Sequence, residues 1–135
     1  MVNTDYVPEW YISPFQHVQY TLARSQLHMD LLFEDMNKVD KFLSIEGAAA
    51  QVDFYSDGAY AVVQLGDTSE RNLIEVYGLL LHEAVHVWQK IKKLMGEREP
   101  SSEFEAYSIQ AIAQDLFKMY EESEEKHGME GEKAD

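Results

Sequence analysis

From about Leu73 to Met95 the sequence reads as one helix whose apolar residues cover roughly two thirds of the circumference. A helix this apolar cannot rest on a surface with most of its girth in water. It needs partners on at least two sides, so the rest of the chain must be built around it. The narrow remaining stripe carries Glu75, His82, Glu83, His86, Gln89, Lys90 and Lys93. Gly96 suits the left-handed position just past the helix end. A run of capping candidates from Gly66 to Glu70 predicts the helix start.

Within the stripe, residues 82 to 86 read His-Glu-Ala-Val-His. Positions i and i+4 of a helix lie one above the other, so His82 and His86 can grip one metal ion. Glu83 then stands beside the metal's open position, where a general base is useful. Gly78, one turn before His82, leaves room for a strand or a substrate near that position. The chain has no cysteine, so any metal site must be built from imidazoles and carboxylates.

Around this helix the sequence predicts an α+β domain. From Ser13-Pro14 to about Ser44, residues at three- and four-residue spacing, apolar with the one polar exception of Ser25 (Phe15, Val18, Leu22, Ser25, Met29, Leu32, Met36, Val39, Leu43), predict one long helix or two abutting ones. Asp57-Gly58 marks the centre of a hairpin turn. That centring pairs Phe54 with Ala61, Val52 with Val63 and Ala50 with Leu65 on the core face, and Tyr55 with Tyr60, Asp53 with Val62 and Gln51 with Gln64 on the other. Ser101 or Ser102 caps a last helix running to about Glu122. Residues 1–122 are expected to form a single domain, and residues 123–135 an acidic, disordered tail.

The last helix offers two carboxylates. Glu103 shares the polar face with Tyr107, Gln110 and Gln114, whereas Glu105 shares the apolar face with Ile109, Ile112, Leu116 and Met119. An inward carboxylate is costly without a cation, and a metal held by His82 and His86 would supply one.

These residues form an HExxH-x18-E pattern, which resembles the gluzincin metallopeptidases. Glu105-Ala106 is also similar to the start of the third-ligand motif of ImmA/IrrE-type peptidases. The resemblance covers residues 78 to about 116 and implies a zincin-like fold with the hairpin as substrate-binding strand. It implies His82, His86 and Glu105 as ligands of one Zn²⁺ per chain, with Glu83 as the catalytic base. Thermolysin-like enzymes carry an Asp four residues after the third ligand; here Ile109 stands there. The activity implied is zinc-dependent hydrolysis of peptide bonds, the alternative being a zincin-like module that binds or regulates another protein. Tyr55 and Tyr60 are candidate oxyanion donors, whereas His17, His28 and His127 are expected to stand apart from the chemistry.

Acidic residues outnumber basic ones 25 to 11, for a net charge of −14. Such a surface repels phosphate backbones and anionic lipid, which argues against nucleic-acid or membrane partners and leaves a peptide or protein substrate. No signal peptide or membrane-spanning run stands out, so a cytoplasmic protein is expected.

Overall fold

The computed structural model describes residues 1–13 and 17–125. The predicted Pro14 and Phe15 helix positions, His127 and most of the acidic tail lie outside them. The described chain is mixed α+β, with strands β1 (Tyr11–Ile12), β2 (Gln19–Ala23), β3 (Ala50–Tyr55) and β4 (Tyr60–Leu65) and helices α1 (Gln26–Leu32), α2 (Leu73–Met95) and α3 (Ser102–Ser123). The strands form one sheet in the order β1-β2-β4-β3, with β2 and β4 parallel and the other neighbours antiparallel. None of the helices among the described residues is long and apolar enough to cross a membrane.

The hairpin has the predicted register at all six pairs, from Ala50↔Leu65 to Tyr55↔Tyr60. Its connection is longer than two residues: Ser56–Gly58 form a 3₁₀ turn, and Ser56, Asp57 and Gly58 all have positive φ. Alternation sends Ala50, Val52, Phe54, Ala61, Val63 and Leu65 towards α2 and α3.

Among the described residues, the one long helix or two abutting helices predicted over 14–44 do not form, and Gln26–Leu32 is the helical part. Val18, just before β2, and Tyr20 and Leu22 within it alternate into the main core. Val18 and Leu22 satisfy a helical spacing and a strand spacing equally. The β-prone run Val18–Leu22 decides for the strand once β4 offers it a full ladder of partners. The Ser13 amide donates to the Val18 carbonyl at 2.9 Å, and its hydroxyl accepts from the Val18 amide at 3.2 Å. Ser25, a polar break in the apparent helical pattern, is the N-cap of the short α1, accepting from the His28 amide.

The sheet is therefore covered on both faces. The main core joins its one face to α2 and α3 through Leu80, Ala84, Val87, Ile112 and Leu116, all buried. On the other face a smaller cluster gathers Ala23, Met29 and Val62 with Trp10, Phe33, Phe42 and Tyr55. β4 lies between the two, and each residue from Ala61 to Leu65 is buried. Beneath β3 and β4 the irregular segment after α1 is held by glutamines. Gln64 Oε1 accepts from the Leu43 amide at 2.7 Å, Gln51 Oε1 accepts from the Ile45 amide at 3.0 Å, and both side-chain amides donate to Asp53 Oδ2.

The buried Arg24, at the end of β2, ties three elements. It donates to the carbonyls of Leu65 and Gly66 and to Ser123 Oγ, and it pairs with Glu124 at 2.7 Å. Replacing Arg24 by Met should remove roughly 3 kcal/mol of stability, because the carbonyls and the half-buried carboxylate lose their donors. The midpoint of a urea unfolding curve at constant slope measures this.

Candidate metal and catalytic site

α2 begins at a full capping box: Asn72 accepts from the Glu75 amide, and Glu75 reaches back to the Asn72 amide. Asn72 is thus the cap, rather than the residues from Gly66 to Glu70. The helix ends at Gly96, whose φ of 74° closes it in the left-handed conformation. These two signals fix the ends of the helix, and burial of Val76, Leu80, Ala84, Val87 and Ile91 fixes its rotation and with it the stripe that carries His82, Glu83 and His86.

The two histidines are exposed, and their Nε2 atoms lie 3.2 Å apart. His86 Nδ1 donates to Gln89 Oε1 at 3.0 Å. An amide oxygen can only accept, so this bond places the neutral imidazole's proton on Nδ1 and leaves a lone pair on Nε2, facing His82. Gln89 lies in the polar stripe of the sequence without a role; its position three residues after a candidate ligand histidine is the available signal.

Glu83 differs from its neighbours. It is only 5 % exposed. Burial raises its pKa above the ordinary carboxylate value, against the opposing pull of His82 and His86. It makes no hydrogen bond with the described residues. One carboxylate oxygen lies within 4.8 Å of the histidine nitrogens, and these three side chains are the group among the described residues that could together hold a metal ion.

Glu83 stands where two hollows meet. One, of about 460 Å³, runs towards the helix C-terminus between His86, Lys90 and Lys93 on α2 and Ala50, Val52 and Phe54 on β3. The other, of about 480 Å³, runs past His82 and Gly78 beside Ala49 and Ala50. A Cβ placed on Gly78 would touch nothing within 4 Å, so its wall is open. Together they form a cleft between α2 and β3, one of the two edge strands of the sheet among the described residues.

Glu105 is not brought to this cleft. Its carboxylate accepts from the Trp88 indole N–H at 2.8 Å and lies 3.8 Å from Lys92 Nζ. Trp88 and Lys92 project from the side of α2 turned away from His82 and His86. The carboxylate is 39 % exposed rather than buried, and the cation beside it is a lysine, not a metal. The reason is the packing of α3: it meets α2 through the buried face that contains Trp88, and Phe104 stacks edge-on against that indole at 5.5 Å. Glu103 is exposed, in keeping with its polar-face position.

The other candidates also stand apart. Tyr55 and Tyr60 belong to the opposite side of the sheet, where the Tyr55 hydroxyl donates to Asp40. His28 is buried; its Nδ1 accepts from the Arg24 amide at 2.8 Å and its ring packs against Tyr6. His17 is exposed. No family model matches the sequence, and no curated protein or solved structure matches it.

Two outcomes check this geometry. Glu105→Ala should cost about 1–3 kcal/mol by leaving the buried indole N–H unpaired, while zinc affinity, measured by titration calorimetry, stays within about twofold. A tenfold loss of affinity would instead bring Glu105 to the metal. Glu83 has a raised folded-state pKa, so its folded form binds more protons than the unfolded chain. Stability should fall as pH rises through the ordinary carboxylate range and level off above the raised value. In chelator-treated protein, Glu83→Gln should therefore melt above wild type at pH 7, and the gap should close at pH values below that range.

Proposed function

We propose that the chain is a zincin-like, zinc-dependent peptidase in which His82 and His86 hold the metal and Glu83 acts as the base. The observation that carries this is the pair of imidazole nitrogens 3.2 Å apart with a buried carboxylate beside them at the floor of a cleft. Two imidazoles bound to one tetrahedral zinc at ~2.0–2.1 Å stand about 3.3 Å from each other, so the residues fit the ion. The Nδ1 bond of His86 to Gln89 supports the fit, because it holds the ring in the ligating tautomer.

When bound, zinc would supply Lewis acidity that polarises the scissile carbonyl and acidifies water. Glu83 would take the proton of the attacking water and pass it to the leaving amine. Its apolar surroundings suit this work, since a carboxylate with a raised pKa is the better base. β3 uses one side of its backbone to pair with β4, and an extended peptide could align along the other, above the histidines.

Glu105 supports a second reading. With its carboxylate committed to Trp88 and Lys92, the chain supplies two histidine ligands, which suits a weaker metal site in a module that binds or regulates another protein.

The test is metal content followed by turnover. Wild type should carry one zinc per chain, and His82→Ala or His86→Ala should lose it. Glu83→Gln should retain zinc while kcat/KM on a peptide library falls ~10²–10⁴-fold. A zinc-loaded wild type that cleaves nothing in the library would leave the binding module as the function.

A further inference from the structure

On the side of the molecule opposite the cleft, four aromatic rings from separate parts of the chain meet around a hollow of about 390 Å³: Trp10, Phe33, Tyr55 and Tyr60, with Asp35 and Met36 completing the wall. Trp10 stands before β1, Phe33 directly follows α1, and Tyr55 and Tyr60 are cross-strand partners flanking the hairpin turn. Successive rings turn steeply against one another. Trp10 meets Tyr60 at 5.1 Å and 67° and Phe33 at 6.5 Å and 69°, and Phe33 meets Tyr55 at 4.7 Å and 49°. Rings so inclined form walls rather than a flat stack. All four are half-buried, and the exposed Met36 stands at the rim.

Aromatic faces carry negative charge density and attract a cation within about 6 Å of the ring centre. Elsewhere the chain fills such positions with its own cations: Arg24 lies over Tyr120, Lys90 over Phe54 and Lys118 over Tyr11. Among the described residues none covers the four rings of the box. The electrostatics around it point the same way. Asp35 lines it, Asp40 accepts the Tyr55 hydroxyl at 3.1 Å, and the chain carries a net charge of −14. A bare ammonium is strongly hydrated and gives up water reluctantly. A methylated ammonium is apolar on its outside and still charged, and so suits rings on several sides together with a carboxylate at the edge.

We propose that this box is a binding site for a quaternary or fully methylated ammonium group, separate from the metal cleft and independent of the peptidase reading. The chemistry is shared by a free quaternary amine and by a trimethylated lysine side chain.

The test follows the indole N–H signals of the two tryptophans by ¹⁵N–¹H correlation spectroscopy, assigned with Trp10→Phe. Choline should shift the Trp10 signal and leave the buried Trp88 signal in place. Its neutral isostere, 3,3-dimethylbutan-1-ol, should bind about tenfold more weakly, as expected when the charge over the rings is removed. Trp10→Ala should abolish the response, read at the other amides around the box. Asp35→Asn, an exposed change that leaves the fold alone, should weaken choline severalfold. A trimethyllysine peptide compared with its unmodified form separates the two sources: a side-chain ligand shows as tighter binding than choline, a free amine as equal or weaker binding. Equal binding of the neutral isostere, or no shift of Trp10 with any of these probes, would overturn the proposal.

Discussion

One buried guanidinium holds together chain segments that local sequence does not bring near each other. Arg24 stands at the end of β2, Leu65 and Gly66 at the end of β4, and Ser123 and Glu124 at the end of α3, and its donors reach all three. The Tyr120 ring, 5.2 Å from the guanidinium carbon, covers one side of it. Its backbone amide is engaged as well, donating to His28 at the first turn of α1. A charge this deeply buried is tolerable only when its donors are satisfied, so the arrangement is close to all-or-none. It sets where β4 hands over to the loop before α2 and where α3 comes to rest. Between them these two constraints fix the groove that α2 occupies.

The cleft depends on β3 having different business on its two faces. Ala50, Val52 and Phe54 look towards α2, and Gln51 and Asp53 look the other way into the amide network under the hairpin. That network pins Leu43 and Ile45, and Ile45 returns to line the cleft beside Phe54 and His86. The polar face that alternation predicts is therefore not a wet face. Gln64 is fully buried, and its hydrogen-bonding groups meet partners within the protein.

How much of this could be read in advance follows from how local each signal is. The hairpin register was legible because alternation and a turn centre agree within sixteen residues, Ala50 to Leu65. The C-terminal end of α2 and the start of α3 were legible because Gly96 and Ser101 act on their own backbone. The start of α2 is less so: several capping residues lie close together, Asp67 and Glu70 share the spacing of Asn72 and Glu75, and the latter pair forms the box. β2 was misread because its identity comes from β4, about forty residues away, and Val18 and Leu22 fit two periods alone. Glu105 was partly legible. Periodicity placed it on the face turned to α2, which holds, but it stays part-exposed there and meets Trp88 and Lys92 rather than a metal. Which side of α2 it would meet depends on how two helices cross, and no residue of α3 states that by itself.

The outcome is a helix with two carboxylates at two kinds of address. Glu105, on the α3 side of α2, is satisfied by an indole N–H and an ammonium, an arrangement that holds two helices together. Glu83, on the β3 side, is more deeply buried yet makes no such bond with the described residues, and its pKa is driven up by burial. Its burial disfavours the charged form, so a neutral side chain would suit stability better at this position. A group kept reactive next to two convergent imidazoles and open to a cleft is what proton transfer requires. The difference between the two environments, more than the five-residue string itself, singles out Glu83 as the candidate base of the proposed reaction.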